Sequence, residues 1–408
     1  MEPSRYLPER VHSQFVSPAF QLMLATSWAA PAACEDLQDA EIRAALAAKP
    51  DWSEYCFLID RHRTHGFAWT ALKRAGGLDL PLPVRQWLTR QSDLCRTQGL
   101  EGTRALLSLL RAFQGLSIEV MPLKGPFLSY SLYGDVGIRN SEDLDIEVRE
   151  DDVDRAQVYL ESAGFELLDC RFSMTQRQRR LIRERNHHLR FTHKDQGLIV
   201  ELHWRCSWET PEMKIARWGR GVPATWFGCE HLAMAPIDLT GYLIRHGSQH
   251  QWSRAKWLGD IARIYAISSA PWKELLGSSI DFSIRDPTRL ALLLLKACYR
   301  LRVSEDFDPN DLRVPMFLFE ESVRSMTTRS EHENQPALTR LLSTARSIRF
   351  RRRIFPVSSW RVLLKELMFL PQDFQAVVLP DSLFWLYPVM RPFIWLWRSI
   401  KTAQNAVR

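Results

Sequence analysis

The chain lacks the signatures that announce many enzyme classes. It has no Walker P-loop, no G-x-S-x-G elbow, no internal repeat and no low-complexity tract, which sets aside P-loop NTPases, α/β-hydrolases and repeat architectures. Its seven cysteines, at 34, 56, 95, 170, 206, 229 and 298, include no C-x-x-C pair, so neither a zinc cluster nor a disulfide framework is indicated. Reduced thiols in a cytoplasmic setting are the simplest account. Long apolar runs are also missing. The aromatic-rich stretch 382–397 is interrupted by Pro388, Arg391 and Pro392, which argues against a spanning helix. The stretch from Ala19 to Cys34 resembles a lipoprotein leader, but Glu2, Arg5, Glu9 and Arg10 precede it and it is not read as one. Nor is there a strong charge excess: 54 Lys and Arg stand against 47 Asp and Glu, net +7. That balance suits an acidic partner, whether nucleotide, nucleic acid or anionic membrane, without choosing among them.

With 46% hydrophobic residues over 408 positions, the chain can bury a sizeable core. The informative stretch is Leu123–Val148. Residues two apart on a strand share a face, so Asp143 and Asp145 project together and repel unless a cation sits between them. Oxygen ligands at this spacing suit Mg²⁺, or Mn²⁺ in its place, with nucleotide phosphates completing the shell. Gly125, after an apolar strand, lets backbone amides approach a phosphate. The bland alternative is a solvated strand with alternating acids.

Residues 37–116 have helical periodicity, with Trp52–Ala75 and a run from Pro83 to Phe113. His62 and His65 lie there among arginines and lysines and are assigned a structural or solvated role. From 116 to 206 the period shortens, predicting strands at 118–123, 143–148, 188–193 and 198–204 and a helix at 151–163. Glu201 lies in an otherwise apolar strand, where a carboxylate is costly unless paired or metal-bound. It is the expected third metal ligand, with Asp143 and Asp145, and the three are the expected catalytic set. Glu147 shares the face of the aspartates and is taken as a rim charge. His203 shares the face of Glu201. Arg139 and Lys124 are candidates for triphosphate contact, because cations, guanidinium above all, grip phosphate. Between the acidic strands runs a basic connector with Arg171, Arg177, Arg179, Arg180, Arg183, Arg185 and Arg190, plus His187, His188 and His193. It is either a lid over phosphates or an amphipathic helix with a basic outer face. After Pro211 the chain is expected to be helical throughout. His246 and His250 have the spacing of a metal pair, but no zincin-like third ligand follows. Arg346, Arg349 and Arg351–Arg353, with the aromatic stretch behind them, allow weak contact with an anionic membrane.

The motif order Leu123-Lys124-Gly125, Leu132-Tyr133-Gly134-Asp135, Arg139, Asp143-Leu144-Asp145, Gly164-Phe165, Val200 to Trp204 and His246 through Ala262 resembles a bacterial family labelled uncharacterised nucleotidyltransferase, within the DNA polymerase beta superfamily. Leu379-Pro380, Tyr387 and Arg391-Pro392 are similar to its tail. The resemblance implies an α+β fold in which a small mixed sheet with a polymerase beta-like core is flanked by helical regions. Residues 1–115 would form an N-terminal helical region, 116–210 the nucleotidyltransferase core, 211–346 a helical domain closing the cleft, and 347–408 a basic and aromatic helical tail. It also implies that Lys124, Gly125, Arg139, His203, His246, His250 and Lys256 bind the nucleotide or its acceptor. The family usually has Asp where Glu201 stands, and Glu reaches one methylene further. The expected reaction moves an NMP group from ATP or another NTP to an acceptor: a small molecule, a sugar phosphate, a peptide, a protein or a nucleic acid. Phosphoryl transfer on the same scaffold and a non-catalytic binding protein are the alternatives. The expected location is the cytoplasm, with peripheral contact at the inner membrane surface, and the oligomeric state is left open.

Overall fold

The computed structural model describes residues 17–76, 80–168, 175–195, 197–268, 282–303, 313–328, 337–355 and 376–394, with isolated positions 272, 275, 276, 373 and 397. Arg171 lies outside them. Five helices open the described chain: α1 (Pro18–Ala25), α2 (Ala32–Ala47), α3 (Trp52–His62), α4 (His65–Arg74) and α5 (Leu82–Gly115). The run read as helical from Trp52 to Ala75 divides in two because Arg63 caps α3 in the left-handed region, at φ 54°. At the other end of α3 the Asp51 carboxylate accepts from the amides of Ser53 (2.8 Å) and Glu54 (3.0 Å), satisfying donors the helix leaves open.

The chain then alternates through β1 (Val120–Pro122), α6 (Gly125–Tyr133), β2 (Asp143–Val148), α7 (Val153–Ser162), β3 (Phe165–Leu167), α8 (Gln176–Arg185), β4 (His188–His193) and β5 (Ile199–His203). All four expected strands are present. After α9 (Pro211–Gly219), however, comes a hairpin, β6 (Val222–Trp226) and β7 (Cys229–Ala233), where helix was expected. Its two-residue loop, Phe227 and Gly228, has positive φ at both positions, as a tight hairpin of matching twist requires. Helices α10 (Pro236–Gln249), α11 (Ala255–Ile267), α12 (Phe282–Tyr299), α13 (Met316–Thr327) and α14 (Ala337–Ile354) follow. None of the described helices is long and apolar enough to cross a membrane.

The main sheet has the order β1-β2-β5-β4-β3, with β2 and β5 parallel and the other pairs antiparallel. Alternation splits it into two unlike faces. Leu144, Ile146, Val148, Leu189, Phe191, Val200 and Leu202 are buried on one, against Leu106, Leu110 and Phe113 of α5 and Val153, Ala156 and Leu160 of α7. The other face carries Asp143, Asp145, Glu147, Glu201 and His203. A second, larger core joins the N-terminal helices to the later ones, with Phe20, Tyr55, Leu72, Leu258, Ile261, Leu294 and Phe319 in one cluster.

The segment leading into β2 is pressed between α4 and α5. A Cβ on Gly66 would lie 2.4 Å from the Ile138 carbonyl oxygen, and one on Gly99 2.4 Å from that of Val136. Neither position has room for a side chain, so these two glycines set how closely the helices approach.

Candidate active site

The parallel pairing of β2 with β5 assembles the acids. Asp145 and Glu201 are register partners, as are Asp143 with Ile199 and Glu147 with His203. His203 Nε2 lies 3.3 Å from Asp145 Oδ1 and 3.4 Å from Glu201 Oε2. Asp145, Glu201 and His203 thus bring three potential ligand atoms within 4.8 Å of one another.

Lys124 reaches the same point from the turn before α6, its Nζ 2.9 Å from Asp145 Oδ1. A lysine at a strand end is ordinarily solvated, but this one is largely buried, with its ammonium also over the Tyr242 ring at 5.8 Å. Gly125 begins α6 at φ +69°, and a Cβ there would sit 3.2 Å from the Asp143 carbonyl oxygen. The turn therefore holds the positive end of α6 against the start of the acidic strand.

These contacts polarise the two aspartates in opposite directions. Burial chiefly, then the charge of Asp145, pushes the Asp143 carboxyl up to about 6, against the pull of Lys124. Burial would raise Asp145 too, but Lys124 and the hydrogen bond from His203 outweigh it and hold that carboxyl well below the usual range. For Lys124, burial is likewise outweighed, mainly by Asp145, and its pKa rises. His203 follows the same logic, with the bonds to Asp145 and Glu201 overcoming desolvation to raise it.

A family model described as "Uncharacterised nucleotidyltransferase" matches residues 48–300. The chain belongs to this nucleotidyltransferase family. No curated protein and no solved structure matches it. The matched span contains both acidic strands, the Lys124–Gly125 turn and helices α10 and α11, so every candidate site residue falls within it.

On the nucleotidyltransferase scaffold α10 and α11 face the acids. Burial first, then Lys124, drives the His246 imidazole well below its ordinary value, and the same causes bring His250 to about 4, so both rings are neutral. They pack around Trp257, His246 edge-on and His250 tilted, with centroids 5.0 and 5.1 Å away. Lys256 donates to the Asn140 carbonyl (3.1 Å), and burial, followed by Arg139 and Arg63, brings its ammonium down to about 7. Tyr242 was not singled out from the sequence. Its signal is its position one turn before His246 on the same helix face.

Two residues have partners the sequence did not suggest. Arg139 is 3% exposed and its Nε donates to both Asp260 oxygens at 2.9 Å, where Tyr133 also donates at 3.0 Å. Its guanidinium is thus engaged inside the protein rather than presented to a triphosphate. Glu147, read as a rim charge, is fully buried and accepts from Arg217 (2.6 Å) and Trp218 (2.9 Å) of α9. Their partners lie 121 and 70 positions away along the chain, too far to be paired without the fold. His62 is structural, its Nδ1 accepting from the Ala255 amide at 2.9 Å. The basic connector forms α8, in which Arg183 pairs with Asp154 and Arg177 lies over the Phe384 ring at 4.6 Å.

Next to the segment that leads into β2 lies a cleft of about 360 Å³, lined by Asp60, Arg61, Arg63, Asn140, Glu142 and Arg254 among others, in which Arg63 pairs with Glu142. Asn140 links it to the site through Lys256. The donor chemistry at the strands fits a divalent cation: a half-buried and a buried carboxylate on one strand, the first with a pKa raised chiefly by burial and then by the charge of the second, and a third carboxylate in register.

Proposed function

We propose that this nucleotidyltransferase family member moves an NMP group from an NTP to a hydroxyl or phosphate acceptor and releases pyrophosphate, on a polymerase beta-like core at 116–210 closed by helices of 211–346. The observation that carries the reading is the register of Asp145 with Glu201, which sets Asp143, Asp145 and Glu201 on one face beside the N-terminus of α6. Asp143 and Asp145 would hold Mg²⁺ or Mn²⁺. When bound, such an ion neutralises charge on the entering and leaving oxygens. Glu201 takes the proton of the attacking hydroxyl as its oxygen bonds to the α-phosphorus and the bond from that phosphorus to the β-bridging oxygen breaks. The Gly125 amide and the positive end of α6 receive the triphosphate. Lys124 exchanges its contact with Asp145 for a phosphate oxygen, and His203 orients Glu201. His246, His250 and Lys256 form the opposite wall. Arg139 serves as a positioning residue, tying the acidic segment to α11 through Asp260.

The cleft sets three arginines against Asp60 and Glu142, a small positive excess that suits a polar acceptor carrying an anionic group, such as a sugar phosphate. Mass spectrometry after incubation with each NTP and cell extract tests the reaction. A product heavier by one nucleotide is expected and should vanish in Asp143→Asn/Asp145→Asn. A product heavier by one phosphate assigns phosphoryl transfer instead, and identical products from wild type and the folded double variant sink both.

A second observation bears on location. Trp385, Val389, Phe393 and Trp397 recur every four residues and are 63, 60, 72 and 51% exposed. The neighbouring α8 exposes Arg179 and Arg180 and packs on the same segment, with Thr175 donating to Asp381 at 2.6 Å. An apolar stripe beside arginines suits the surface of an anionic membrane on the cytoplasmic side. Flotation with anionic but not neutral liposomes is expected, and no flotation at low salt removes the idea.

A further inference from the structure

A nitrogen-rich cluster adjoins the acids. His188 is the register partner of His203 across β4 and β5, and His187 precedes it. The Trp204 amide donates to the His187 carbonyl at 3.1 Å and fixes that residue to the end of β5. The three rings lie close together, with centroid separations of 4.4 Å (His187 to His188), 4.9 Å (His188 to His203) and 5.7 Å (His187 to His203). One nitrogen from each comes within 4.8 Å of the other two. Glu201 adds a carboxylate, Oε1 being 4.0 Å from His188 Nε2 and Oε2 3.4 Å from His203 Nε2.

We propose that His187, His188, His203 and Glu201 bind one borderline transition-metal ion, of the class of Zn²⁺, Co²⁺ or Fe²⁺, at a site separate from the Asp143–Asp145 pair. The donors decide the class. Mg²⁺ takes oxygen ligands, whereas three imidazoles with one carboxylate is a set chosen by ions later in the first transition row. Metal–nitrogen bonds of about 2.0–2.1 Å put neighbouring ligands of a four-coordinate ion roughly 3.3 Å apart. The Glu201 contacts of 3.4 and 4.0 Å and the histidine nitrogens within 4.8 Å of one another exceed that value, so side-chain movements of about an ångström close the site. His188 and Glu201 are part-exposed, which leaves an entry path. His203 and Glu201 belong to both the acidic and the nitrogen-rich group, so an ion here would stand next to the reacting centre and set the orientation of Glu201. The site is independent of the nucleotidyl-transfer reading, because it would take up its ion without nucleotide.

Co²⁺ titration of the metal-free, full-length protein in the absence of nucleotide tests this. The expected result is one equivalent of Co²⁺ with visible ligand-field bands of a four- or five-coordinate nitrogen-containing site, retained in a large excess of Mg²⁺. Removing a residue that merely orients a ligand costs roughly 10–100-fold in metal affinity, so His187→Ala/His188→Ala should lose at least about 100-fold. Asp143→Asn should keep the bands, and so should His246→Ala/His250→Ala. Easy displacement of Co²⁺ by Mg²⁺, bands unaffected by the double variant, or their loss in folded Asp143→Asn would each overturn the assignment. Should the double alanine variant fail to fold, His188→Gln alone gives the same reading, since a shift in the bands is required of it.

Discussion

Replacing Asp143 with Asn should make the metal-free protein more stable. The native carboxyl, raised chiefly by burial and then by Asp145, ionises at about 6, against an ordinary value of 3.8 for the unfolded chain. Between those two values the folded protein holds a proton that the unfolded chain has released, so stability falls as pH rises through the window and the loss is complete above it. At about 1.4 kcal/mol for each tenfold step in proton affinity, the ionised group costs at most about 3 kcal/mol at neutral pH and roughly half of that near pH 5. Asp143→Asn removes the titration. Urea unfolding in EDTA should therefore show a gain for the variant of up to about 3 kcal/mol near pH 7.5, shrinking to roughly 1–2 kcal/mol near pH 5. Saturating Mg²⁺ should then stabilise the wild type much more than the variant, because the ion neutralises the charge that Asp143→Asn has deleted. A variant less stable than wild type at both pH values, or one with an undiminished response to Mg²⁺, would refute the account of Asp143 as a carboxylate kept at a cost for a cation.

Three other perturbations separate framework from site. Asp260→Asn strands the buried Arg139 guanidinium and should cost about 3–5 kcal/mol in denaturant unfolding, part of it recovered in Asp260→Asn/Arg139→Met. Glu147→Gln weakens the bond from Arg217, which keeps its contact with Glu209, so a loss of about 1–3 kcal/mol with unchanged Mg²⁺ affinity is expected; weaker Mg²⁺ binding would make Glu147 part of the metal site. Gly99→Ala, with its methyl 2.4 Å from a backbone oxygen, should lose more than about 2 kcal/mol, whereas Gly115→Ala on the same helix meets nothing within 4 Å and should be neutral or gain up to about 1 kcal/mol. Thermal melts of the pair compare them directly.

The two-residue period made Asp143, Asp145, Glu201 and His203 legible, because side-chain direction along a strand is a local property. The pairing of β2 with β5 was not, since nothing near residue 145 encodes a partner at 201. The same reason hid Arg139–Asp260, which spans 121 positions, and Glu147–Arg217, which spans 70. A charge looks solvated in a sequence until its distant counter-charge is placed. His188 looked like one more cation in a basic connector, and only the cross-strand register with His203 turned it toward the acids. The β6–β7 hairpin reads as helix in the sequence because two five-residue strands between longer helices show too little of a two-residue period, although Pro223 and Phe227-Gly228 interrupt a helical pattern.

The close approach of Gly66 and Gly99 to residues 136–138 has a consequence for how this protein can diversify. The strip before Asp143 is riveted to α4 and α5 by carbonyl contacts that admit no side chain, and to α11 by the Arg139–Asp260 pair. Helices from both flanks therefore position the acids themselves. Exchanging the N-terminal helices for those of another chain would shift the aspartates as well. Changes that leave the acids in place therefore have to come from side chains lining the cleft rather than from swapping whole segments.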